Sequence, residues 1–83
     1  MKTKAIVRLK LSEQQRQIIL DSLKPEVSNP ASHRSRTSLY TKEELMILEI
    51  EAKDTTALRA SLNSYLRWMS SILSVLKTLR AQQ

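Results

Sequence analysis

Glycine is absent from this chain, cysteine and phenylalanine are absent too, and histidine occurs once, at His33. Each absence closes a class of chemistry. Without glycine there is no P-loop, no dinucleotide-binding fingerprint, no kinase Gly-rich loop and no phosphate clamp of the KH kind, because these bring backbone against a phosphate in conformations that only glycine adopts. Without cysteine there is no disulfide, no thiolate zinc site and no cysteine nucleophile. One imidazole cannot make a His-rich metal site, and the lack of phenylalanine removes the aromatic sheet of an RNA-recognition motif. No cofactor or metal is expected. The first ten residues are charged throughout, and their apolar run is only Ala5-Ile6-Val7. That is neither a secretory core nor a membrane span, so a cytoplasmic protein with no membrane partner is expected.

What is present is small and basic. The 83 residues make one expected domain, 1–83, with 14 Lys+Arg against 8 Asp+Glu, a net charge of +6 and a pI near 10.1. A chain of this size buries only roughly 60–65% of the surface its unfolded form exposes. Its core is thin, a partner surface is a better expectation than a deep cleft, and the charge favours an anionic partner or an acidic protein surface.

The pattern predicts β-α-β-β-α, an α+β fold with a three-stranded antiparallel sheet and two helices on one face. Thr3–Leu11 alternates, with Ala5, Val7, Leu9 and Leu11 on one side and Lys4, Ile6, Arg8 and Lys10 on the other. Ser12-Glu13-Gln14-Gln15 fits a capping box. The helix it opens is expected to stop at Leu23 or Lys24, before Pro25. Pro25–Ser32 reads as loop and a weakly patterned strand is placed within His33–Thr41. Thr41-Lys42-Glu43 is the expected hairpin turn, longer than two residues because glycine is missing. Glu44–Ala52 is the third strand, with Met46, Leu48, Ile50 and Ala52 on one face. Asp54 caps a helix from Thr55 to about Leu79, too long for any sheet of such strands to cover.

The first helix spreads Ile18, Ile19, Leu20 and Leu23 over an arc of roughly 200°, about twice what one sheet needs. Ile19 and Leu23 are expected to face the core, with Ile18 or Leu20 outside it. On the second helix Leu58, Leu62, Tyr65 and Met69 lie near the centre of the apolar stripe. Leu66 and Leu73 sit at one margin, Trp68, Val75 and Leu79 at the other, and Ile72 and Leu76 continue past the end of the sheet. The candidate partner-binding set is therefore Ile18, Leu20, Leu66, Trp68, Ile72, Leu73, Val75, Leu76 and Leu79.

Charge is also unevenly placed. Residues 1–10 and 55–83 hold cations and no acid, and all eight acids lie between Glu13 and Asp54. The cations read either as a basic band for RNA phosphates or as a solvated face with helix-end charges, and pairing of two chains would tip the balance to the first. Arg34 and Arg36 could grip phosphate or keep an edge strand polar. The candidate nucleic-acid set is Lys4, Arg8, Lys10, Arg34 and Arg36. Glu49 and Glu51 read as one solvent face, with nothing to make them a catalytic pair. Trp68 and Tyr65 read as core or interface anchors rather than base-stacking groups.

The run Asp54-Thr55-Thr56-Ala57-Leu58-Arg59-Ala60-Ser61-Leu62-Asn63-Ser64-Tyr65-Leu66-Arg67-Trp68 resembles the signature of the CTAG/LAGE (Pcc) family, the small dimerisation subunits of the KEOPS (EKC) complex. Leu23-Lys24-Pro25-Glu26, the Arg34 and Arg36 pair and Ile50-Glu51-Ala52 fall in the same order as in that family. The resemblance implies a non-catalytic homodimeric scaffold that binds the complex's catalytic ASKHA-fold threonylcarbamoyltransferase subunit through its helices. The kinase/ATPase and a tRNA-binding subunit attach further along. The complex makes threonylcarbamoyladenosine next to the anticodon of tRNAs, which names tRNA as a partner. The alternative is a stand-alone small RNA-binding domain, against which stand the missing glycine clamp and the expectation of no exposed aromatic on the sheet.

Overall fold

The computed structural model describes residues 2–28 and 35–81. The elements are β1 (Thr3–Lys10), α1 (Glu13–Ser28), β2 (Ser35–Lys42), β3 (Leu45–Ala52) and α2 (Thr55–Ala81). This is the expected α+β order. The sheet is antiparallel in the order β1-β3-β2, so the last strand in the chain is the central one. Thr3 pairs with Ala52 and Lys10 with Leu45 on one side, and Ser35 pairs with Ala52 and Lys42 with Leu45 on the other.

Alternation places the strands as it does because β3 is apolar at every second residue. Met46, Leu48 and Ile50 are fully buried, flanked in register by Leu9, Val7 and Ala5 of β1 and by Leu39 and Thr37 of β2. Both helices lie over that face. Ile19 and Leu23 of α1 and Tyr65 and Met69 of α2 close the core, each of them buried. Full burial of each large aliphatic side chain stabilises by about 1.5–3 kcal/mol, which makes Ile19, Met46, Leu48, Ile50 and Met69 the principal anchors. α1 rests on β2 and α2, while α2 rests on β3 and β1.

The helix starts are built as expected. The Ser12 backbone N–H donates to Gln15 Oε1 at 2.9 Å and the Gln15 N–H donates to Ser12 Oγ at 3.2 Å, a reciprocal capping box. Asp54 Oδ1 accepts the Ala57 N–H at 2.8 Å, capping α2.

Two boundaries differ from expectation. α1 does not stop before Pro25 but runs through it to Ser28. A proline forfeits one intrahelical hydrogen bond and biases the residue before it. Here Leu23, 3% exposed in the core, already holds the preceding turn helical. The expected loop Pro25–Ser32 therefore begins inside the helix, and its remainder, with His33 and Arg34, lies outside the described residues. The hairpin turn is not Thr41-Lys42-Glu43 but the two residues Glu43-Glu44 between paired Lys42 and Leu45. With no glycine available, Glu43 itself takes the left-handed conformation, φ 57°. That costs roughly 1–2 kcal/mol. Arg16 steadies this end of the molecule: its Nη1 donates to the carbonyl of Glu44 at 3.0 Å and to that of Leu11.

Candidate partner and nucleic-acid interfaces

Two surfaces follow from the geometry, one on each side of the sheet. On the helical side α2 is about 40 Å long, because 27 residues rise ~1.5 Å each. The eight-residue strands beneath it reach only ~27 Å. The helix starts at the Ala52 end, where Ser61 Oγ lies 2.8 Å from Ser35 Oγ, and runs past the Leu45 end, where Leu9 meets its later turns. Beyond that point apolar residues stand in solvent: Val75 is 59% exposed and Leu79 53%. Trp68 and Leu66 are also exposed, higher on the two flanks, with Trp68 set edge-on to Tyr65 at 5.2 Å between ring centroids and 81° between planes.

Of the nine candidate partner residues, Leu66, Trp68, Val75 and Leu79 are thus exposed. Ile18 and Leu76 are half-buried. Leu20, Ile72 and Leu73 are half-buried too, and pack against the core cluster. A shallow groove of about 340 Å³ runs beside α2, lined by Leu9, Leu66, Met69, Ser70, Leu73, Ser74 and Lys77. Leu73 forms part of its floor, so it belongs to the fold as much as to the surface.

On the other side of the sheet lie the outward positions of all three strands. Lys4, Arg8 and Lys10 of β1 and Arg36 and Lys42 of β2 are exposed and share this face. The structure therefore brings together four of the five candidate nucleic-acid residues, the fifth, Arg34, lying outside the described residues. Glu49 and Glu51 occupy the midline between the cations, and Lys2 Nζ pairs with Glu51 Oε1 at 3.2 Å.

The expectation of no exposed aromatic on the sheet is overturned. Tyr40 sits on this outer face, 39% exposed. Its hydroxyl donates to Glu49 Oε1 at 2.9 Å, and that hydrogen bond to a carboxylate, with a little burial and the carboxylate's charge, pushes its pKa above the usual tyrosine value. The signal in the sequence was the spacing Arg36, Ser38, Tyr40, which puts the ring on the cationic side once β2 is in register.

Among the described residues no group of His, Cys, Asp and Glu could hold a metal ion, and no helix is long and apolar enough to cross a membrane.

Comparison with known proteins decides the family. The family described as "Transcription factor Pcc1" matches residues 7–77, from the second half of β1 through α1, β2 and β3 to most of α2. The chain belongs to the Pcc1 family. A curated relative, "KEOPS complex subunit Pcc1" of Pyrococcus abyssi (strain GE5 / Orsay), is 37% identical over 65 residues, 78% of this chain and 79% of the relative. The resemblance carried by Asp54–Trp68 is thereby borne out. In Pcc1 terms, that signature is the covered half of α2 together with its cap, and the overhang follows it.

Proposed function

We propose that this chain is a non-catalytic dimerisation and scaffold subunit of a KEOPS complex. The reading is supported by family membership, by the name of the Pyrococcus relative, and above all by one observation: an apolar helix that outruns its own sheet. Val75 and Leu79 on the overhang, Leu66 and Trp68 on the flanks, and Ile18, Leu20, Ile72, Leu73 and Leu76 between them form the surface offered to two helices of the catalytic threonylcarbamoyltransferase subunit. The kinase/ATPase and the tRNA-binding subunit join indirectly through that subunit, in the cytoplasm. Edge strands β1 and β2, each with one side unpaired within the chain, provide for pairing with a second copy. The outer cations Lys4, Arg8, Lys10 and Arg36 contribute contacts to tRNA phosphates, weak in the isolated dimer and steeply salt-dependent.

The alternative reading, a stand-alone small RNA-binding domain, gains one specific support: Tyr40 exposed on a basic sheet. Gel filtration with light scattering separates the two. The proposal expects a dimer mass for the pure chain at micromolar concentration and a stable larger species when the catalytic subunit is added. A monomer across a broad concentration range that ignores the catalytic subunit would overturn it.

A further inference from the structure

The outer face of the sheet holds a buried isoleucine with no helix over it. Ile47 is 5% exposed, although it points away from both helices. Its directly opposite neighbours are Arg8 on β1 and Tyr40 on β2. Side chains so placed have Cβ atoms ~5 Å apart, so the Arg8 stem and the Tyr40 ring are the groups positioned to cover it. The Tyr40 hydroxyl reaches across to Glu49, the next residue of β3 on the same face. Held by that hydrogen bond, the side chain reaches diagonally towards the central strand, and it stays 39% exposed.

The charges around it are ordered. Cations lie on the two flanks, Lys4, Arg8 and Lys10 on one and Arg36 and Lys42 on the other, with Glu49 and Glu51 between them. A phosphate chain is repelled from that midline and attracted to a flank. The flanks are ~10 Å apart, two strand spacings. A base turned inward from a backbone held on β1 therefore arrives over the midline, where the Tyr40 ring lies. Only an unpaired base can turn inward in this way. Aromatic rings beside arginine bind such bases with little regard to sequence, because every base has a π-face.

We propose that Tyr40 is a stacking platform for an unpaired base of an RNA strand whose phosphates run along Lys4, Arg8 and Lys10. This rests on the reading of the outer cations as an RNA surface and goes beyond it, since it selects single-stranded over duplex RNA and names the residue that does so.

The test is fluorescence anisotropy of the full chain at low salt, with a labelled single-stranded RNA of about twelve nucleotides and the same sequence closed into a duplex. Tyr40→Ala is expected to weaken single-strand binding roughly five- to a hundredfold and leave duplex binding within about twofold. Tyr40→Phe keeps most of the affinity. Tyr40→Leu, which covers Ile47 without a π-face, loses affinity like the alanine variant and guards against a chain that fails to fold. A double variant with Arg8→Glu and Lys10→Glu weakens both RNAs. If the charge reversals weaken binding and Tyr40→Leu does not, the stacking platform is overturned while the basic surface stands. If neither matters, the basic surface falls and the platform with it. If Tyr40→Leu leaves RNA binding intact and changes the mass in light scattering, the ring serves a contact between proteins and the proposal is overturned.

Discussion

The two halves of α2 carry one continuous apolar stripe and meet opposite fates. As far as the middle turn of the helix, Tyr65 is 6% exposed and Met69 2%, both part of the core shared with α1 and the sheet. In the second half, Val75 and Leu79 are more than half exposed. Nothing in residue type separates them. Position separates them in two ways: Val75 and Leu79 lie at the margin of the stripe, as does the exposed Trp68, and the strands stop at the Glu43-Glu44 turn while the helix does not. Burial here depends on angular position and on where the neighbouring element ends, and the same chemistry serves as core in one place and as partner surface in the other.

The strongest way to break this comparison is to charge each half in turn. Met69→Asp puts an unpaired carboxylate into the core, and we expect loss of the cooperative melting transition by circular dichroism. Val75→Glu and Leu79→Glu are expected to melt close to the parent while capture of the catalytic subunit falls at least about tenfold, since the carboxylates become buried only in the complex. If these variants melted as badly as Met69→Asp, the overhang would be core after all. Leu73→Glu should fall between the two. Its side chain lines the groove floor beside Leu9, so both the melting midpoint and the capture drop.

Smaller changes sharpen the limits of the covered half. Asp54→Ala removes the cap at its start and should cost about 1 kcal/mol, read as a midpoint lowered by roughly 4–8 °C. Glu43→Gly relieves the left-handed residue that ends the sheet. It is expected to raise the midpoint by a few degrees at most, because the relief is partly offset by glycine's greater freedom when unfolded. A lowered midpoint would show that the Glu43 side chain matters more than its backbone.

β1, β3 and the length of α2 were legible in the sequence, since their alternation or helical stripe is clean and their caps, Ser12 and Asp54, are local signals. β2 was legible only in outline. Its inward positions include Ser35 and Thr37, polar residues that a period-two pattern does not mark, and Ser35 finds its partner in Ser61 on α2, far along the chain. The two-residue turn was hidden because it relies on strain at Glu43 and on a hydrogen bond from Arg16, again distant in sequence. For the partner surface, angular position on the helix put the buried Tyr65 and Met69 at the centre of the stripe and the exposed Leu66, Trp68, Val75 and Leu79 at its margins. It could not show that Leu73 and Ile72 pack against the core cluster, which depends on how far β1 and α1 extend beside them. Tyr40 was missed for want of a strand register.

The central place of β3 also sets an order of assembly. Its pairing with β2 closes through a two-residue turn, whereas its pairing with β1 spans α1, residues 29–34 and β2. Hairpins form in about 1–10 μs, and the entropy of closing a loop grows with its length. β1 is thus expected to dock after the hairpin, and as an edge strand its amides should exchange with solvent ahead of those of β3. It is also the strand that carries Lys4, Arg8 and Lys10. An anion held along it would bind only the completed sheet, and so would clamp shut the least secure seam in the molecule.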